Sequence, residues 1–297
     1  MDIDYESERN RSEFLKIHEA AIVELCNELE IVRDPDTIEK VWLPLAFQIA
    51  HWRNAQSRVL IQGFLGGQGT GKTTLTKVLA LLLNKLGYST VSWSLDDLYL
   101  PYVDRVRLRT RDPRMIRRGP PGTHDVQLGI EVLQQFQRGE FPIALPRFDK
   151  SAHGGEGDRS EPELITQADI ILFEGWFVGV RPIVSEFEIV ADRQFAQAMN
   201  QQLQSYVPLW ELLDRFVILY VPEYQLSKQW RKEAEHKMIA QGKAGMGDAE
   251  IDEFVEYFWQ ALHPELFIPP LLKQADLVLE IGDGHSVRSM NRPIETV

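Results

Sequence analysis

Apolar positions along this chain follow two rhythms. Over residues 10 to 30, Phe14, His18, Ala21, Leu25 and Leu29 recur at three- and four-residue intervals, and Leu15, Ile22, Cys26 and Leu29 share an apolar face. Over 36 to 52, Ile38, Val41, Trp42, Leu45, Ile49 and Trp52 repeat the pattern. Both stretches predict amphipathic helices, and Asp34-Pro35 leaves only a short connection between them. Past residue 56 the rhythm shortens to strand-like runs. These are Val59 to Leu65, Ser89 to Leu95, Ile143 to Phe148, Ile170 to Phe173, Phe216 to Val221 and Leu277 to Ile281. The run at 170 is continuously apolar, as expected of a central parallel strand buried on both faces. Helical spacing returns between the strands, at Leu75, Val78, Leu79, Leu82 and Leu86, over 126 to 138, and at Phe195, Met199, Leu203 and Tyr206.

Strands alternating with helices predict an α/β fold, a parallel sheet covered on both sides and built from right-handed crossovers. No repeat, low-complexity tract or linker interrupts it. All strands are therefore assigned to one sheet and residues 1–297 to one domain. Residues 1–55 form a helical N-terminal extension packed on a core of 56–297, and about 183–213 is a helical insertion.

Composition narrows the class. The 297 residues are 44% hydrophobic, enough for a substantial core. The single cysteine, Cys26, forms no internal disulfide and falls on an apolar helix face, so it reads as core. The first eight residues are acidic and resemble neither a signal nor a transit peptide, and no apolar run spans a membrane, which makes the cytoplasm the default compartment. A net charge of −12 argues against nucleic acid as the main partner. Against that background, Arg105, Arg107, Arg109, Arg111, Arg114, Arg117 and Arg118 are opposed only by Asp112, a local balance of 7 − 1, about +6. Two readings stand: a solvated loop whose arginines pair with surface carboxylates, or an anion-substrate pocket.

The candidate chemistry begins where the first strand ends. Gly66, Gly67, Gln68, Gly69, Thr70, Gly71, Lys72 and Thr73 fit the phosphate-loop (Walker A) pattern GxxxxGK[ST], and with Thr74 they form the candidate nucleotide-binding segment. Glycines let successive N–H groups point at phosphate oxygens while the next helix offers its positive end. Lys72 is then expected to reach the β- and γ-phosphates, and Thr73 to bind magnesium. The strand before and the helix after supply the context the motif requires. The alternative is a flexible glycine-rich hairpin.

Ligands of open parallel sheets gather beyond the carboxyl ends of the strands. The second strand ends in Asp96, Asp97 and Tyr99. Asp96 is the candidate base, orienting a hydroxyl and accepting its proton. Neighbouring side chains on an extended segment point oppositely, which leaves Asp97 to orient the loop or assist magnesium. The alternative is a pair of turn-forming aspartates. Glu174 ends a central strand and is the candidate magnesium ligand, a salt bridge to arginine being the alternative, and Gly175 beside it permits close approach. Residues 145 to 159 are dense in charge and glycine and read as a substrate loop in which Arg147, Lys150 and Arg159 pin a carboxylate or phosphate. Residues of about 225–247, with Arg231 as the key cation, suit a lid that closes over a triphosphate, and a solvated helix with internal Glu–Lys pairs is the alternative.

These pieces in this order resemble the phosphate-loop small-molecule kinases related to uridine kinase, pantothenate kinase and phosphoribulokinase. SLDDLYLP from Ser94, GTHD from Gly122, LPRFDKSAHGGEGDR from Leu145, LFEGWFVG from Leu172, WRKEAE from Trp230 and GKAGMGDAEIDEFV from Gly242 are similar to plant-type D-glycerate 3-kinase, from about residue 58 to the C-terminus. The resemblance implies a P-loop NTPase fold, three-layer α/β/α with a mostly parallel central sheet. It also implies transfer of the ATP γ-phosphate to the 3-hydroxyl of D-glycerate with Mg2+, the step that closes photorespiratory salvage in photosynthetic organisms. Asp96 falls where that superfamily's catalytic aspartate is expected. His124, Asp125, Arg147 and Asp149 fall in its substrate-contacting segments, and Arg117, Arg118, Arg147 and Arg159 remain candidates for the substrate carboxylate. A kinase for another small hydroxylated acceptor and a non-catalytic ATP-binding regulator are the competing readings.

Overall fold

In the computed structural model, which describes residues 8–31, 34–242 and 245–292, period-two alternation sorts the strand side chains to two faces of one sheet. The chain runs α1 (Glu8–Glu28), α2 (Leu43–Asn54), β1 (Leu60–Gly66), α3 (Lys72–Lys85), β2 (Thr90–Ser94), α4 (Tyr102–Arg111), α5 (Val126–Arg138), β3 (Ile143–Asp149) and β4 (Asp158–Ile165). It continues through β5 (Ile170–Gly175), α6 (Arg193–Gln202), β6 (Arg215–Tyr220), α7 (Leu226–Ala240), α8 (Asp248–Ala261), β7 (Leu277–Ile281) and β8 (Val287–Asn291). Among the described residues the sheet has six strands in the order β2-β5-β1-β6-β7-β8. All neighbours pair in parallel except β7 with β8 at the edge. This is the three-layer α/β/α fold of phosphate-loop kinases.

Ile61, Leu65, Ile171, Phe173 and Ile218 face a core filled by α5, α6 and the aromatic group Phe177, Tyr206 and Trp210. Leu60, Phe64, Ile170, Leu172, Val217 and Leu219 face the opposite core, filled by α3 and by Phe14, Ile22, Cys26, Leu45 and Ile49 of α1 and α2. The two amphipathic helices ahead of the phosphate loop thus cover one face of the sheet. On α1 the deeply buried stripe is Phe14, Ile22 and Cys26, while Leu25 and Leu29 lie at its margin.

Several local expectations change. The segment 36 to 52 is one helical path with a π-helical turn at Ile38–Trp42, which advances the apolar stripe before α2 begins. β3 is outside the main sheet: with β4 it forms a separate antiparallel hairpin, so the strands do not all share one sheet. Half of the arginine-rich stretch is helical, in α4, rather than loop. β4 and β8 lack the apolar run by which the other strands are read, because each lies at an edge with most side chains in solvent or half-buried. Lys243 and Ala244 of the expected lid, and the acidic start before Glu8, lie outside the described residues.

Candidate active site

β1 delivers its carboxyl end into the phosphate loop. Gly69 and Gly71 adopt φ of 75° and 82°, the left-handed region where a Cβ is strained, and Gly71 is the residue from which α3 starts at Lys72. A Cβ on Gly66 would stand 2.6 Å from Thr70 Oγ1, so the turn closes only around glycine. Thr70 Oγ1 donates to the Gly67 carbonyl at 2.9 Å, and Lys72 Nζ lies 3.5 Å from the same carbonyl. The open N-terminal turn of α3 and the ammonium therefore face one space, a cleft of about 750 Å³.

Asp96 enters that cleft from a short 3-10 turn, Leu95–Leu98, after β2. Asp96 and Asp97 therefore diverge by helical rotation, not by the strand alternation expected from the sequence. Ser94 starts the turn with a reciprocal cap, its hydroxyl accepting from Asp96 N–H while the Asp97 carboxylate accepts from Ser94 N–H. Asp97 also accepts from Arg147 Nη1 at 3.0 Å and from Phe148 N–H at 3.2 Å, which fastens the turn to β3. The Asp96 carboxylate accepts from Tyr99 Oη at 2.7 Å and from Lys150 Nζ at 2.6 Å. Burial pushes the Asp96 carboxyl up, but Lys150, the Tyr99 hydroxyl and Lys72 together outweigh it and hold its pKa at about 2. For Asp97 burial dominates over Arg147, and its pKa is raised.

Glu174, buried at the end of β5, accepts from Thr73 Oγ1 at 2.8 Å through Oε1, while its Oε2 has no hydrogen-bond partner among the described residues. Such an orphaned buried carboxylate oxygen beside the phosphate-loop hydroxyl fits a hard cation. No cluster of three or more carboxylate, histidine or cysteine ligands occurs among the described residues. A Cβ on Gly175 would lie 2.7 Å from Leu95 Cβ, so this glycine lets the Asp96 turn seat against the end of β5.

The arginines of the stretch divide into those with carboxylate or carbonyl partners and those that line the cleft. Arg107 pairs with Asp104, Arg109 with Glu156 and Arg114 with Asp112. Buried Arg105 donates to the carbonyls of Leu100, Glu156 and Gly157, pinning the β3–β4 turn. Arg117 and Arg118 instead line the cleft and have no carboxylate partner among the described residues. The Arg117 guanidinium lies 4.9 Å from the Phe254 ring centre. Arg118 lies 6.0 Å from the Tyr99 ring and 5.7 Å from that of Phe148, and donates to the Gly155 carbonyl at 2.6 Å. Buried Met115 anchors the segment on one side. On the other, Gly119 packs where a Cβ would strike Phe258, and its carbonyl accepts from Trp176 Nε1.

The structure brings together Gln68, Gly69, Lys72, Thr73, Asp96, Asp97, Tyr99, Arg118, Lys150, Glu174 and Arg231 around the cleft. It does not bring His124, Asp125, Arg147, Asp149 or Arg159 into the lining. His124 is buried behind Tyr99, ring centres 4.6 Å apart, with Nδ1 2.9 Å from Tyr206 Oη, and burial drives its pKa down to about 3. Asp125 caps α5 and pairs with Arg159, Arg147 is shared between Asp97 and Glu163, and Asp149 holds the Ser151 turn. Arg231 pairs with buried Glu235 and lies 5.4 Å from the Phe254 ring. Trp176, Trp230, Phe254 and Phe258 also line the cleft. Sequence reasoning missed this aromatic wall because at helical spacing an aromatic residue reads as core.

A phosphate loop closing the first strand of a parallel sheet, with carboxylates after the two strands on one side of it, defines a small-molecule kinase of the phosphate-loop class. Over 237 residues the chain is 32% identical to the chloroplastic D-glycerate 3-kinase of Arabidopsis thaliana, and over 220 residues 34% identical to an uncharacterized kinase of Schizosaccharomyces pombe. The chain belongs to this D-glycerate 3-kinase family. The two alignments cover 75% and 68% of the chain, and 52% and 79% of the respective relatives, so it spans about half the length of the Arabidopsis protein. A solved D-glycerate 3-kinase from Cryptococcus neoformans is similar with a TM-score of 0.75 at 27% identity, over 84% of this chain and 96% of that one. No family model matches.

Proposed function

We propose that the protein transfers the γ-phosphoryl group of ATP to the 3-hydroxyl of D-glycerate, giving 3-phosphoglycerate and ADP. The observation that carries this reading is the pair Arg117 and Arg118, cations without a carboxylate partner among the described residues, in the cleft that holds Asp96 and Lys72. A protein of net charge −12 repels a small carboxylate unless cations are concentrated where it binds. Arg147 and Arg159, already neutralised by their own carboxylates, are poor candidates for that task. The names of the plant and fungal relatives favour the same acceptor.

Arg117 and Arg118 hold the acceptor carboxylate and thereby aim its 3-hydroxyl at Asp96. The 3-oxygen forms a bond to the γ-phosphorus as the bond from that phosphorus to the β–γ bridging oxygen breaks. The hydroxyl proton passes to Asp96, and ADP leaves. In a loose transition state the carboxylate chiefly orients the hydroxyl and accepts its proton late, so the low pKa of Asp96 is no obstacle. Lys72 and the phosphate-loop amides hold the phosphates, and Arg231, on a lid formed by α7, neutralises transferred charge. A magnesium ion, when bound, offsets charge on the phosphate oxygens, and Thr73 and Glu174 are the residues that would hold it. In this reading the N-terminal helices and the insertion belong to one kinase domain.

Replacing Arg117 and Arg118 together by alanine should raise KM for D-glycerate at least tenfold while KM for ATP stays within about twofold, measured by ADP release. An unchanged glycerate KM would overturn the assignment of the carboxylate site.

A further inference from the structure

Two cations of the cleft share one ring. The Arg117 guanidinium lies 4.9 Å from the centre of the Phe254 ring, and that of Arg231 lies 5.4 Å from the same centre. Arg117 comes from the segment after α4 and Arg231 from α7, so a single side chain of α8 joins two parts of the chain that are far apart in sequence. Buried Ile251, Val255, Phe258 and Ala261 fix α8 to the core. Toward α7 it offers a ladder: Lys228 pairs with Glu256 at 2.5 Å, Lys232 with Asp252 at 2.8 Å, and His236 Nε2 lies 2.7 Å from Asp248 Oδ1. Each rung steps one helical turn forward on α7 and one turn back on α8, as two antiparallel helices facing along one stripe require.

Toward the arginine segment, Tyr257 Oη donates to the Arg114 carbonyl at 3.0 Å, and Phe258 fills the space that a Cβ on Gly119 would need. The stretch carrying Arg117 and Arg118 is thus held at both ends by the helix that also holds α7. Phe254 stands between these two sets of contacts, half-buried and lining the cleft. Arg117 has no carboxylate partner among the described residues. Arg231 uses Nη2 on buried Glu235, which also accepts from Met246 N–H at 3.3 Å, while its Nε has no hydrogen-bond partner among the described residues. Both guanidinium groups therefore keep N–H donors for a ligand. The electron-rich ring face attracts them without consuming those donors, which a carboxylate in its place would do.

We propose that Phe254 is a positioning residue for phosphoryl transfer: its ring holds Arg117, which takes the acceptor carboxylate, and Arg231, which meets the charge developing on the transferred group, in one fixed relation. The inference rests on the reading of this cleft as a D-glycerate kinase site. Arg117 acts in acceptor binding and Arg231 in the transition state, so loss of the ring alters two kinetic constants at once.

The test is steady-state ADP release by the full chain with ATP, magnesium and D-glycerate. Phe254→Leu, which keeps an apolar side chain but removes the ring, should raise KM for D-glycerate and lower kcat, each about three- to tenfold, with KM for ATP within about twofold. Phe254→Tyr keeps the ring and should restore both constants. Double variants separate positioning from packing. Added to Arg117→Ala, Phe254→Leu should lower kcat without raising KM further; added to Arg231→Ala, it should raise KM for D-glycerate without lowering kcat further. Losses that multiply in full in both backgrounds would overturn the inference and make Phe254 packing alone, as would a Phe254→Tyr protein no better than Phe254→Leu. No turnover of D-glycerate by the unmodified chain would remove the acceptor reading and this inference with it, whereas turnover with independent losses would remove the inference alone.

Discussion

At Asp96, burial raises the carboxyl pKa while Lys150, Tyr99 and Lys72 lower it, with a net value of about 2. A depressed carboxyl favours the folded protein above the ordinary carboxyl value of 3.8, and that contribution is lost as pH falls through about 2. Asp96 is therefore ionised throughout the neutral range and contributes no acid limb there. Lys150→Ala removes the largest opponent of burial, so an acid limb in kcat/KM for the acceptor should move up toward neutral pH. A pH–rate profile identical to that of the unmodified protein would contradict the pairing seen between these groups. Asp96→Asn should reduce kcat by roughly 10²–10⁴ with ATP binding nearly intact; parallel loss of both, by turnover and titration, would make Asp96 structural. The residues at the strand ends were legible in the sequence because an apolar run announces where a strand stops. Which arginine is free was not, since that depends on partners as distant in sequence as Asp97 to Arg147 and Asp125 to Arg159.

Short connecting elements set the cleft's shape. The β3–β4 hairpin presents Lys150 and the Gly154–Glu156 turn to the cleft, and Arg105 of α4 holds that turn by the backbone carbonyls of Glu156 and Gly157 and ties it to the Leu100 carbonyl ahead of α4. Arg105→Ala strips these acceptors of their donor in a mostly buried site. It should cost about 1–3 kcal/mol in urea unfolding and raise KM for the acceptor more than for ATP; unchanged stability would mean that the turn holds without it. Similarly, Gly175→Ala should push Leu95 and with it the Asp96 turn. The hairpin was half legible: β3 carries an apolar run, whereas β4, Asp158–Ile165, exposes most of its residues and gives no periodic signal. α4 was hidden by its seven-in-fourteen arginine stretch, which composition marks as charged and periodicity leaves blank.

Across the whole molecule, two cores sandwich the sheet, and one of them depends on residues ahead of the phosphate loop. The parallel sheet was legible because its strands are apolar on both faces, and the helices covering it because theirs is a regular stripe. The separate hairpin was not, since pairing partners are a tertiary choice that two similar apolar runs leave open. Deleting residues 1–54 would uncover Leu60, Phe64, Leu79 and Leu83, all nearly inaccessible in the chain. The truncated protein should lose cooperative thermal unfolding or aggregate, and an unchanged transition would detach the N-terminal helices from the fold's stability. The most direct test of the central claim is ADP release with ATP and magnesium across D-glycerate, L-glycerate, uridine, pantothenate and ribulose 5-phosphate. The account predicts turnover that depends on D-glycerate and yields 3-phosphoglycerate; turnover with another acceptor and none with D-glycerate would contradict it.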